Sequence, residues 1–136
     1  MERLDLSRIF RRRKVEEKQA DQQAKKMSEL EQLTGNDQTT YEALAQTMFL
    51  DPRKIETPMK QAVENAKKSE KEGDLAKAGM WCEVAGGLAI FEGNVKKVVE
   101  YYGEAQRILH REYAILRDPE KAVALAQEYY KKYLLA

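Results

Sequence analysis

Apolar residues recur three and four positions apart along most of the chain, and Val, Ile and Thr never alternate with polar residues over the length of a strand. The pattern predicts helices. Residues 2–33 contain no strong breaker and are rich in Glu, Lys, Gln, Arg and Ala, which favours one long helix by propensity. After Phe10 its only sizeable apolar residues are Val15, Met27, Leu30 and Leu33, so it has little face to bury and is expected to project as an arm. The polar run Thr34 to Thr40 reads as a loop, with Gly35 suited to a left-handed helix end and Thr39 or Thr40 to capping the next helix. Tyr41, Leu44, Ala45 and Met48 then form a short helix that Asp51-Pro52 stops.

Four further helices are expected. Thr57 as N-cap and Pro58 in the first turn open one whose stripe is Met59, Ala62, Val63 and Ala66, ending near Gly73. Asp74 caps the next, to about Phe91, and Gly93-Asn94 repeats the stop-and-cap device before a third over 95–116. Asp118-Pro119 starts the last, in which Ala122, Val123, Ala126, Tyr130, Tyr133 and Leu134 share a face. Residues 78–91 carry one charge, Glu83, and are expected to be buried on most sides. On a helical wheel Ala78, Gly79, Cys82, Ala85, Gly86 and Ala89 form a small seam, and Trp81, Val84, Leu88 and Phe91 a bulky one, which places this helix centrally between partners. The expected fold is all-α: an antiparallel helical bundle with a long, projecting N-terminal helix. It divides into a basic arm over 1–33, a loop and short helix over 34–57, and a four-helix antiparallel bundle over 58–136.

Composition narrows the function more than the fold. With 136 residues, 43% hydrophobic and 35% charged, the chain holds enough apolar surface for one domain and an appendage. The single cysteine, Cys82, excludes an intrachain disulfide, and the N-terminus lacks the apolar stretch of a secretory signal, so a cytoplasmic, soluble protein is expected. The net charge of +1 excludes a global attraction to polyanions but not a local one. Residues 1–14 hold six basic and two acidic residues, against three basic and five acidic in 15–33. The basic cluster is Arg8, Arg11, Arg12, Arg13 and Lys14. Four of these are consecutive and surround the helix axis, which suits phosphate contact without sequence readout, to DNA or RNA. Leu6, Ile9 and Phe10 lie together on the same arm and could dock on another subunit, on the bundle or, less favourably, at a membrane surface. The first reading of the basic cluster is a solvated arm with no ligand, with nucleic acid next and an anionic membrane or an acidic protein after it.

Gly73-Asp74 and Gly93-Asn94, with Ala66, Ala78, Ala85, Gly86, Tyr102 and Ala105 at small or aromatic positions around them, resemble the hairpin turns of tetratricopeptide repeats. Cys82 and Val98 depart from that pattern, and the two turns lie 20 residues apart where tandem repeats of that family run to about 34. Ala62, Ala66, Glu70, Gly73 and Ala78 also resemble the spacing of the three-helix microtubule-interacting and transport domain, with Leu75 and Cys82 in place of aromatics. Either resemblance, covering residues 58–116, implies a peptide-binding helical module.

Catalysis needs a nucleophile, acid or base held against a partner. His110 sits beside Arg107 and Arg111 on a polar flank, and Cys82 lies on the small seam, so a surface histidine and a packing thiol are expected rather than catalytic groups. No Cys, His or carboxylate cluster has metal-ligand spacing, so no cofactor is expected. Glu100 and Glu104 share a stripe with Lys97, Arg107 and Arg111 and read as a salt-laced surface. Lys131 and Lys132 among Tyr129, Tyr130 and Tyr133 could stack nucleobases, though tyrosines at helical spacing more often belong to a core. The sequence points to a non-enzymatic interaction or assembly module with a protein partner or a second copy, and alternatively to a small nucleic-acid-binding subunit.

Overall fold

In the computed structural model the described backbone covers residues 6–48 and 51–135, and side chains are described for 16–18, 20–48 and 51–135. Four helices start on one device. Asp37, Asp74, Asn94 and Asp118 each accept a hydrogen bond from the backbone N–H three residues on, at 3.1 to 3.3 Å, satisfying a donor that the first turn would leave unpaired. These caps open α2 (Gln38–Thr47), α4 (Leu75–Glu92), α5 (Val95–Leu109) and α6 (Pro119–Tyr129). The other two helices are α1 (Leu6–Thr34) and α3 (Met59–Lys71), and no strand occurs among the described residues. The all-α expectation is met. Gly73 and Gly93 close α3 and α4 in the left-handed region, at φ of 82° and 74°, where a side chain would be strained.

α4 is the hub. It packs against α3 on one side and α5 on the other, and α3 and α5 touch each other far less. The small seam explains the close approach: Ala78, Gly79, Cys82, Ala85, Gly86 and Ala89 are all buried. A Cβ on Gly86 would sit 2.6 Å from the ring of Tyr102, and one on Gly79 would meet the Leu109 side chain. The bulky seam is only half-buried, and Met80 beside it is 45% exposed. α4 is therefore open on one side, where burial on most sides was expected.

Several boundaries differ from the sequence expectation. Asp37, not Thr39 or Thr40, caps α2, because its carboxylate accepts from both the N–H and the hydroxyl of Thr40 and also pairs with Lys121. Pro58 occupies the N-cap of α3 and offers no side-chain bond. α5 stops at Leu109 rather than 116. His110 turns left-handed at φ 52°, and Ala114–Leu116 forms a separate 3₁₀ turn that packs on α2. The last helix gives way at Tyr130–Leu134 to a wider π-turn.

One hydrophobic cluster runs through Leu30, Leu44 and Met48 as well as Ala66, Ile90, Tyr102, Ile115 and Tyr129. The expected borders at 34 and 58 therefore cut through a continuous core. The end of α1 belongs to it, while the described side chains from Glu16 to Lys25 are exposed.

Candidate functional site

Two concavities among the described residues are large enough to receive a ligand. The first follows directly from α4 holding α3 and α5 apart: a slot of about 190 Å3 opens between them. Cys82 and Ala85 form its floor, Val63, Tyr101 and Ile108 its apolar walls, and Glu70, Glu100 and Glu104 its rim. Arg107 on α5 reaches across to Glu70 on α3 at 2.9 Å while holding Glu104 at 2.7 Å, so one guanidinium ties the two walls together. Those carboxylates hold the Arg107 guanidinium well above its ordinary pKa. The stripe expected to be salt-laced is so in part: Arg107 pairs along α5 with Glu104 and also across to Glu70 on α3.

Burial pushes the Cys82 thiol up to about 11, with the Glu104 and Glu70 carboxylates adding to the effect. It stays protonated at neutral pH, as a packing thiol would. His110 is exposed and serves as the left-handed end of α5, its N–H bonded to the Gln106 carbonyl at 2.9 Å. No group of three His, Cys, Asp or Glu residues placed to hold a metal occurs among the described residues.

No protein-family model, curated protein or solved structure matches this chain. The site must be read from its own chemistry. Also, no helix among the described residues is long and apolar enough to cross a membrane.

The second concavity is an open cleft of about 620 Å3 where α1 passes the Pro52–Lys54 turn and the C-terminal tyrosines. Its edges are fastened by polar bonds between distant parts of the chain. Lys26 donates to the Met48 carbonyl at 2.8 Å, Arg53 to the Leu134 carbonyl at 2.9 Å, and the Tyr129 hydroxyl to Glu29 at 2.9 Å. Asp51 accepts from the backbone N–H and the guanidinium of Arg53, which holds its carboxyl below the usual range. Tyr129 and Tyr130 are core residues, as tyrosines at that spacing most often are, and only Tyr133 is half-buried, with Lys132 5.3 Å above its ring.

Of the residues singled out in the sequence, Leu6, Arg8, Ile9, Phe10, Arg11, Arg12, Arg13 and Lys14 lie on the helical backbone of α1, and their side chains lie outside the described residues. Sequence reasoning missed both concavities. Lys25, Lys26, Arg53 and Lys54 carry no local sign that they meet. The slot had a signal: a seam of small residues beside a partner helix leaves room that large neighbours do not always fill.

Proposed function

We propose that the protein is a non-enzymatic helical interaction module that receives a partner segment in the slot between α3 and α5. The observation that carries this is the slot itself: apolar walls deep enough for an aliphatic stem, under a rim of three carboxylates that Arg107 and Lys67 offset only in part. That arrangement favours a long side chain ending in a cation, presented by a helix or an extended peptide. The resemblance of residues 58–116 to peptide-binding helical modules agrees with it. The protonated thiol of Cys82 and the exposed position of His110 support a role without catalysis. A peptide-display selection tests the proposal. Enriched peptides should carry Lys or Arg at a fixed position and lose about tenfold in affinity to Glu100→Lys or Val63→Asp. Peptides that bind both variants as well as the parent would contradict it.

A second reading is a small nucleic-acid-binding subunit that contacts phosphates through Arg8, Arg11, Arg12, Arg13 and Lys14. A continuous helical backbone through those positions favours it. Replacing Arg11, Arg12, Arg13 and Lys14 with alanine should lower the salt slope of log affinity by about 0.7 to 0.9 per lost contact. If the arm instead joins a second copy, replacing Leu6, Ile9 and Phe10 with serine should change self-association more than the charge variant does.

A further inference from the structure

The cleft beside α1 holds four cations, Lys25, Lys26, Arg53 and Lys54, against two carboxylates, Glu29 and Asp51. Its charges are not equally committed. Arg53 and Asp51 neutralise each other at 2.9 Å, and Glu29 accepts from Tyr129 while Lys25 stands 4.0 Å away with its side chain 80% exposed. Lys26 and Lys54 have no carboxylate within ion-pair distance among the described residues. Lys26 is half-buried as well, and it spends one of its three N–H donors on the Met48 carbonyl. The cleft thus keeps a half-buried ammonium at Lys26 beside the exposed one of Lys54, an arrangement that an anion relieves. Burial lowers the Lys26 pKa and the neighbouring Lys54 charge lowers it further, against the opposing effect of Asp51 and Glu29.

The size and the remaining lining define the rest of the ligand. Inorganic phosphate alone would leave most of a 620 Å3 cleft empty, and that volume lies within the range of about 300 to 1,000 Å3 typical of small-molecule sites. The half-buried ring of Tyr133 also lines the cleft, with Tyr129 at a centroid distance of 5.0 Å and the Lys132 ammonium 5.3 Å from its centre. A ring held in place in this way is a stacking surface for a planar heterocycle. Gln22 and Gln23 on α1 are exposed at the mouth, and each amide offers both a donor and an acceptor to the edge of such a heterocycle.

We propose that this cleft binds a nucleoside phosphate, with the base against Tyr133 and the phosphate between Lys26 and Lys54. The site is separate from the α3–α5 slot and does not depend on it. The nucleoside phosphate comes either as a free nucleotide or as one unit of a single strand, and the two sources share the same base and phosphate chemistry. The strand would continue along α1, the helix that carries the basic cluster toward its N-terminal end.

The test is titration calorimetry on the full chain at low salt, with the four 5′-nucleoside monophosphates, the unphosphorylated nucleosides, inorganic phosphate and a single-stranded oligonucleotide as separate probes. At least one monophosphate, or the oligonucleotide, is expected to bind about tenfold or more tightly than the nucleoside and than phosphate, since each loses half of the contacts. Lys54→Ala, an exposed position, should reduce that affinity about tenfold while the circular dichroism spectrum stays unchanged, and Tyr133→Leu should reduce it by a similar factor. A steeper salt dependence for the oligonucleotide than for any monophosphate identifies the strand as the source, and equal dependence identifies the free nucleotide. The proposal is overturned if no nucleotide or oligonucleotide saturates the protein below millimolar concentration. It is equally overturned if inorganic phosphate binds as tightly as the best nucleotide, or if Lys54→Ala binds as the parent does.

Discussion

Two regions of this molecule are held together by different means. Around α4 the order is local: helices start on Asp74 and Asn94, stop on Gly73 and Gly93, and approach closely because α4 presents glycine and alanine to its neighbours. The region joining α1, α2 and the C-terminal segment has no such seam. There, polar side chains reach across the sequence to distant backbone groups, as when Gln46 donates to the Glu112 carbonyl at 2.7 Å and accepts from the Ala114 N–H at 3.0 Å. The first region depends on the fit of its small seam, and the second adds long-range hydrogen bonds to its share of the core, so the two should respond to different substitutions.

The largest expected effect lies at the small seam. Gly86→Leu would drive a side chain into the buried Tyr102 ring and should cost about 3 kcal/mol or more, at the upper end of overpacking. A melting temperature within a degree or two of the parent would remove α4 from its central position. Next, Gln46→Ala should cost about 1 to 2 kcal/mol, because it strands a part-buried backbone N–H as well as losing a bond. The cap substitutions Asp74→Ala and Asn94→Ala should each cost about 1 kcal/mol. If Gln46→Ala is silent in chemical denaturation while the cap variants are not, the second region is not held by polar bonds.

The pH response sharpens the same comparison. Burial raises Cys82 from an ordinary 9.0 to about 11, and burial followed by the Glu83 charge raises Tyr113 from 10.0 to about 12. The folded state keeps protons that the unfolded chain releases, so this contribution is complete below about pH 9 and is lost as pH rises through 11 and 12. The urea midpoint should fall over that window, and a flat profile would contradict the burial of both groups. Asp37 works in the opposite sense and is the smallest effect. Lys121 and Thr40 hold its carboxyl at about 2, so its contribution is present above the ordinary 3.8 and is lost as pH falls toward 2. Lys121→Ala should lower stability at neutral pH and flatten its loss on acidification, because it removes the ion pair whose contribution disappears over that range.

The legible part of the fold follows the same division. The glycine-cap turns at 73–74 and 93–94 and the seam from Ala78 to Ala89 depend on residues near one another in sequence, and each can be placed from the spacing alone. The end of α5 could not be. Residues 110–116 contain no Gly or Pro, and the chain leaves the helix at His110, placing Tyr113 against Tyr102 at 5.2 Å and Ala114 against Gln46. Leu30 was legible as apolar but not as core, because α1 packs on α6, far along the chain, as well as on the neighbouring α2. The cleft was hidden for the same reason, since it is made by segments whose meeting has no local signature, whereas the slot had a partial signal in the small seam.

The claim that α4 is the hub, and that its small seam sets the spacing of the helices around it, is tested most directly by a matched pair of substitutions one residue apart. Gly86 faces the Tyr102 ring, whereas an added Cβ at Gly87 meets nothing within 4 Å. Replacing a mid-helix glycine by alanine ordinarily stabilises by about 0.5 to 1 kcal/mol, so Gly87→Ala should raise the melting temperature. Gly86→Ala should lower it, because the methyl group would meet the buried Tyr102 ring at 2.6 Å and force it to shift. Opposite shifts are the result that this packing predicts, and a rise in both variants would contradict it.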